Sequence, residues 1–286
     1  DAEPLRWQMD PAIVADFLRH GCERREGELR NKATGRRVKA LLPVHALGHP
    51  ADMDPLLEVA REFGLVVIED ATESLGAKYK GRMTGGIGHF ACFSFNGNKI
   101  ITTGGGGMLV TGDERWARRA RYLTTQAKDD PVEYVHRAIG YNYRLSNVAA
   151  AMGCAQLERL DDHIAAKRRL AAAYDAALRG IPGLTPMAEA PGCFSIFWMY
   201  TVLVDPARFG MDSRALMKAL GARRIQSRPL WQPMHRSEVL GGRPAGSCAV
   251  SERLYREGLS LPCSVGLTAE EQQRVVAAVR AARTAS

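Results

Sequence analysis

Apolar residues along this chain fall into short blocks whose period changes from segment to segment, and the period predicts the element. VKALLPV (38–44) is an apolar run of the kind buried on both faces of a parallel sheet. A Gly-Pro loop, LGHPAD, follows it. In MDPLLEVAREF (53–63), Leu56, Leu57, Val59, Ala60 and Phe63 share one face at 3.6-residue spacing, which predicts a helix, and Gly64 predicts its C-cap. LVVIE (65–69) reads as a second buried strand. Strand, helix and strand in this compass make a βαβ unit with parallel strands and a right-handed crossover. Asp70 then stands at the carboxyl end of a parallel strand, where open α/β sheets bind their ligands; the alternative is that it only caps the segment ATESLG.

HFACFSF (89–95) and GMLVT (107–111) predict two more strands, joined by NGNKIITTGGGG, a stretch tolerant of unusual dihedrals. Beyond Asp113 the pattern turns helical. Residues 145–178 predict one long helix or a broken pair. Its apolar stripe of Leu145, Val148, Ala149, Met152, Leu157, Leu160 and Ile164 suits a core or a subunit interface. Periodicity stops at GIPGLTPMAEAPG (180–192), where Pro and Gly concentrate. The division expected is a large α/β domain over residues 1–180 and a small α+β domain over 181–286. The second holds a strand at 200–204 and helices at 213–220, 248–258 and 268–283. No internal repeat is present.

Composition narrows the class. With 46% hydrophobic and 24% charged residues in 286, the chain has the balance of a globular protein. No apolar run approaches the roughly 20 residues needed to span a bilayer. The net charge of +8 admits nucleic acid, a membrane surface or an anionic small substrate. The basic runs are short and broken by apolar or acidic neighbours, and no zinc-finger, RNP or basic-zipper pattern accompanies them. Nucleic-acid and membrane partners are therefore not expected. The six cysteines form no C-x-x-C pair, which predicts buried free thiols in a reducing compartment, the cytoplasm. No metal site is expected.

Lys99 carries the candidate chemistry. It lies between a strand and a glycine-rich loop, five residues after Ser94. A lysine in a confined, partly desolvated site can form a Schiff base. A serine hydroxyl with neighbouring backbone N–H groups can hold a phosphate. A carboxylate such as Asp70, against a pyridine nitrogen, makes pyridoxal phosphate an electron sink. The alternatives are a merely solvated lysine, a flexible turn, or TTGGGG as a nucleotide's phosphate cradle, although neither common phosphate-loop fingerprint occurs.

Three segments, IEDATESLGAKYKG, FSFNGNKIITTGGGGMLVT and GYNYRLSNVAAAMGCAQLERLD, resemble the nucleotide-sugar aminotransferases of the DegT/DnrJ/EryC1/StrS family. The resemblance runs from WQMDP to the last helix. SRPLWQPMH and LYREGLSLP are similar to the branch acting on UDP-linked 4-keto-6-deoxy-N-acetylhexosamines, the bacillosamine-type pathway of surface glycans.

The resemblance implies the pyridoxal-phosphate fold type I: a mostly parallel sheet flanked by helices, plus a small α+β domain. It implies that Lys99 binds the cofactor covalently and moves the proton, and that Asp70 meets the pyridine nitrogen. Glu73, at a position often Gln, would lie near the phenolic oxygen, and Ser94 would bind the phosphate. Asn142 would reach the phosphate of the neighbouring subunit, so that a homodimer completes each site. His45, Arg228 and His235 are candidates near the sugar nucleotide, each with a core or loop alternative. Glutamate is the expected amino donor.

WQMDP matches a position well inside the family's large domain. A preceding segment of about 80–100 residues, with a phosphate-binding turn and a ring-stacking aromatic, is therefore expected in a full enzyme. The remaining alternative is a catalytically impaired remnant of the same fold that acts as a binding protein.

Overall fold

The βαβ unit expected over residues 38–70 is present, with a shorter first strand. The structure, a computed structural model, describes residues 1–130, 132–240 and 246–284. The first half runs α1 (Pro11–His20), β1 (Cys22–Arg25), β2 (Glu28–Asn31), β3 (Ala40–Leu41), α2 (Met53–Phe63), β4 (Val66–Asp70), β5 (Lys78–Tyr79), β6 (Arg82–Met83), β7 (Phe90–Ser94), β8 (Gly107–Thr111) and α3 (Glu114–Thr124). Next come β9 (Lys128–Asp130), β10 (Val135–His136), α4 (Asn147–Leu157) and α5 (Leu160–Leu178). The chain closes with β11 (Leu184–Pro186), β12 (Cys193–Phe194), β13 (Tyr200–Val204), α6 (Pro206–Phe209), α7 (Ser213–Ala222), β14 (Arg228–Pro229), α8 (Ala249–Glu257), β15 (Gly258–Leu261) and α9 (Ala269–Thr284).

The central sheet has the order β3-β4-β7-β8, with β3, β4 and β7 parallel and β8 antiparallel to β7. Pro43 has no N–H for the ladder, so β3 stops before it, and Val44 resumes the pairing as a single bridge to Asp70. Along β4, Val67 and Glu69 are buried on one face, while Ile68 and Asp70 are half-buried on the other. Asp70 pairs with Cys92 in β7, so Ser94 lies two residues further along the neighbouring strand.

Helix α2 explains why this sheet edge is firm. Met53, Leu56, Val59 and Ala60 are buried against a core that includes Leu41 and Val67. Each such leucine or valine contributes about 1.5–3 kcal/mol by leaving water. Gly64, at φ +70°, returns its N–H to Ala60 and Arg61 and turns the chain into β4.

The second sheet, β11-β13-β15-β14, is antiparallel throughout. Every residue of β13 is buried. The chain crosses between the two units more than the Pro/Gly break suggests. Ala171, Tyr174 and Leu178 of α5 pack in the core of the second sheet, and β12 returns to pair with β5.

Three features add to or settle the sequence pattern. Helix α1 lies outside the predicted elements; it buries Leu18 fully and packs Val14 and Phe17 on the same core, and its start is set by the Asp10 cap and Pro11. The 145–178 stretch is a broken pair, with α4 and α5 separated at residues 158–159. Its stripe divides: Leu160 and Ile164 are buried, whereas Val148, Met152 and Leu157 are exposed. All six cysteines are free, but only Cys22 and Cys263 are buried; Cys92, Cys193 and Cys248 are half-buried and Cys154 is exposed on α4.

Candidate functional site

Two turns bring the candidate residues together. After β7 the chain bends so that Lys99 N–H bonds Asn96 O at 3.0 Å. The Trp198 indole N–H bonds Asn98 O at 2.9 Å and fixes this bend from the far side. Lys99 Nζ then lies 4.2 Å from the centroid of the Trp198 ring, a cation–π distance, and 3.7 Å from Glu73 Oε1. Both charged side chains are nearly enclosed, at 13% and 12% exposure.

Glu73 is anchored on its other oxygen. Leu47 N–H donates to Oε2 at 2.8 Å. Leu47 has a positive φ of 61°, an uncommon conformation for a leucine, and Gly48 follows at φ +86°. An ideal Cβ on Gly48 would stand 2.7 Å from Ile196 Cγ1 and from Trp198 N, so glycine is required where this turn meets the chain beneath Trp198. Burial pushes the Glu73 carboxyl above the usual carboxylate range, and the charge of Asp70 adds to that push. Leu47 N–H and Lys99 pull against it.

Asp70 and Ser94 complete the group at the strand ends. Asp70 Oδ1 accepts from Thr72 N–H at 3.1 Å, and its other oxygen has no hydrogen-bond partner among the described residues. Ser94 Oγ accepts from Asn96 N–H at 3.3 Å, which leaves its own hydroxyl proton to be donated. The donor set fits pyridoxal phosphate: an amine for its aldehyde, a carboxylate oxygen for a protonated ring nitrogen and a hydroxyl for its phosphate.

The other candidates lie elsewhere. His45 has no exposed surface. Its Nδ1 accepts from Ala51 N–H at 3.0 Å, and its Nε2 meets Glu69 Oε2 at 2.9 Å. With both ring nitrogens used and no open face, His45 belongs to the frame and not to a substrate surface. Glu69 also accepts from the N–H groups of Gly85, Ile87 and Gly88. Burial opposes its charge, but the bonds from His45, Gly88 and Gly85 prevail and hold its carboxyl below the usual range.

Arg228 is exposed in β14 and lines a cleft that Lys99 also lines. His235 lines a different cavity, of about 640 Å³, with Trp7, Trp231 and Tyr255, and meets Glu252 at 2.5 Å. Asn142 is exposed on the segment before α4, bridged through its backbone to Thr125, and makes no bond to the Lys99 group. Trp198 and Leu47 went unnoticed in the sequence. One belongs to an apolar run, IFWMY, and the other acts through its backbone, so neither has a local signal.

The DegT/DnrJ/EryC1/StrS aminotransferase family model matches residues 5–280. A GDP-perosamine synthase of Caulobacter vibrioides is 42% identical over 244 residues, 85% of this chain and 66% of the relative. The dTDP-3-amino-3,4,6-trideoxy-alpha-D-glucose transaminase of Streptomyces venezuelae is 36% identical over 255 residues, 88% of this chain and 65% of the relative. The chain thus spans slightly under two thirds of the length of these relatives. The crystal structure of S. venezuelae DesV in complex with a ketimine intermediate superposes with a TM-score of 0.84 at 34% identity, covering 99% of this chain and 71% of that one. Motifs, fold and the lysine-carboxylate group agree with these likenesses, and the chain belongs to the DegT/DnrJ/EryC1/StrS aminotransferase family.

Proposed function

We propose that this chain carries the lysine centre of a pyridoxal-phosphate-dependent aminotransferase that moves an amino group from glutamate to a nucleotide-linked keto-sugar. The observation that carries this reading is the enclosure of Lys99 between Glu73 and Trp198, at the strand edge that also presents Asp70 and Ser94.

The bound cofactor supplies an aldehyde for the amines and an electron sink for the carbon that loses its proton. The chain's residues do the rest. Lys99 would hold the cofactor, and its freed amine would carry a proton from the donor carbon to the cofactor in the first half-reaction and from the cofactor to the acceptor carbon in the second. Asp70 keeps the ring nitrogen protonated. Ser94 holds the phosphate, and Glu73 orients the phenolic side. Trp198 and the Leu47 turn exclude water from the amine.

SRPLWQPMH and LYREGLSLP favour a UDP-linked 4-keto-6-deoxy-N-acetylhexosamine acceptor. The names of the relatives, which specify GDP and dTDP sugars, make the nucleotide the variable to test. Asn142 sits beside an apolar face in which Ile139, Tyr143 and Val148 are 82%, 72% and 78% exposed. A second copy covering that face would carry Asn142 to its neighbour's phosphate.

Amino transfer from glutamate to UDP-, GDP- and dTDP-linked 4-keto-6-deoxy sugars tests the reading. Turnover of the UDP-linked N-acetylhexosamine, lost in Lys99→Ala, supports it. Turnover that persists in Lys99→Ala refutes it, as does cofactor-loaded protein that turns over none of the three sugars.

A further inference from the structure

Lys167, on α5, is 7% exposed, and among the described residues it is paired with no carboxylate. Its ammonium donates to Trp198 O at 2.8 Å, to Cys263 O at 2.6 Å and to Cys263 Sγ at 3.6 Å. The second sheet explains the placement. β13 and β15 pair antiparallel with Tyr200 opposite Leu261, and the same register brings Trp198 opposite Cys263. Pro262 has no N–H and ends the ladder there, so the ammonium fills the gap between two unpaired carbonyls. Trp198 also carries the ring over Lys99, which puts this gap at the base of the lysine site.

A buried cation without a counter-charge is costly. Of the three atoms that hold the Lys167 ammonium, only Cys263 Sγ can become an anion. As a thiol it donates to Trp198 O at 3.6 Å. Cationic neighbours favour the thiolate form of a cysteine, and the thiolate is the nucleophile.

The pair can also be reached. Lys167 and Cys263 both line the cleft of about 740 Å³ beside the Lys99 bend. Ser227 lines it too, with a buried hydroxyl oxygen that has no partner, so a small polar molecule gains a bond on entering. Among the described residues no second cysteine lines this cleft, which leaves the Lys167 amine as the nucleophile beside the sulfur.

We propose that Lys167 and Cys263 form an oxidation site, at which hydrogen peroxide joins the two side chains through a sulfur–nitrogen bond. The thiolate attacks one peroxide oxygen and the O–O bond breaks. The sulfur becomes a sulfenic acid, and the departing hydroxide takes a proton from the Lys167 ammonium and leaves as water. The neutral amine then attacks the sulfur. The S–O bond breaks, and the hydroxide released takes the proton that the nitrogen sheds, giving a second water. The sulfur loses two electrons and the peroxide gains them. Lysine's flexible four-carbon stem closes the remaining gap. The bridge holds the sulfur at a level that thiols reverse, whereas an uncaptured sulfenic acid goes on to irreversible acids. It needs no cofactor, so its test and that of amino transfer score independently.

The test is peroxide treatment of the whole chain near neutral pH, followed by peptide mass mapping, with the exposed Cys154 as internal control. The expected product is one cross-linked peptide pair joining Lys167 to Cys263. It is lighter by two hydrogens than the separate peptides, and dithiothreitol splits it. Lys167→Arg keeps a cation there but supplies a poor nucleophile. Dimedone should then trap the Cys263 sulfenic acid about tenfold more than in the parent. A reduced Cys263 in protein whose Cys154 is oxidised overturns the proposal, and so does an oxidised Cys263 beside a free Lys167 amine. A bridge heavier by one oxygen overturns the direct sulfur–nitrogen bond. The parent decides these three outcomes whether or not the variant folds.

Discussion

The Lys99 amine stands 3.7 Å from Glu73 Oε1, close enough for charge attraction and beyond hydrogen-bond length. The Trp198 ring closes its other side at 4.2 Å. The amine is therefore positioned without being tied by a bond that must break before it reacts. Lys99→Ala should lower amino transfer by at least about 10²–10⁴-fold, the range for removing a proton-transfer group. A rate within threefold of the parent would show that Lys99 is not the group that moves the proton.

Glu73 should make stability depend on pH. Burial, reinforced by Asp70, raises its carboxyl in the folded chain, so the native state keeps the proton to higher pH than the unfolded state does. That contribution is full below the ordinary glutamate range and is lost as pH rises through the native value. Glu73→Gln keeps the shape and does not titrate. Denaturant midpoints measured from about pH 4 to about pH 8 should shift in favour of the variant as pH rises. A parent-variant difference independent of pH contradicts this assignment.

The buried His45–Glu69 pair should be a stability element. His45→Ala removes one partner of a charged, fully buried carboxylate and strands Ala51 N–H. The expected loss is about 3 kcal/mol, read as a lower denaturant midpoint with an unchanged slope. Glu69 has a lowered carboxyl, so its contribution is present above the ordinary range and disappears as pH falls through the native value. A midpoint for His45→Ala equal to the parent's would remove the pair from the frame.

Gly48→Ala should cost about 2–3 kcal/mol, because it combines a positive φ with overlap at Ile196 and Trp198. It also disturbs the Leu47 N–H that holds Glu73. Weaker pyridoxal-phosphate binding should therefore accompany the loss. Full stability in the variant would show that the turn relaxes freely.

The sequence made the sheet edge legible because its signals are local. LVVIE ending at Asp70, and FSF followed by the Lys99 bend, each fit within one element and its loop. The contacts that finish the site are remote. Trp198 lies 100 residues from the Asn98 carbonyl it holds. The cleft that Lys99 lines gathers residues from α5, the segment between α7 and β14, β14 itself and α9. For His45 the sequence left a core role and a substrate role both open, and the register of Val44 with Asp70, a pairing remote in sequence, places it in the core.

The exposed face around α4 should drive self-association. Val148 and Met152 are 78% and 47% exposed on a helix that buries none of its residues. Sedimentation should show a dimer in the parent and a monomer in Val148→Glu/Met152→Glu, since burying two charges in an apolar interface is costly. Identical sedimentation of the two proteins would place the interface elsewhere.

The most direct test of the central claim is covalent. Pyridoxal phosphate is added to the purified chain, the visible absorption is recorded, and the mixture is reduced with borohydride and digested. One modified peptide, carrying the cofactor on Lys99 and missing in Lys99→Arg, is the result expected here. An unmodified Lys99, or label spread over several surface lysines with no visible band, would contradict it.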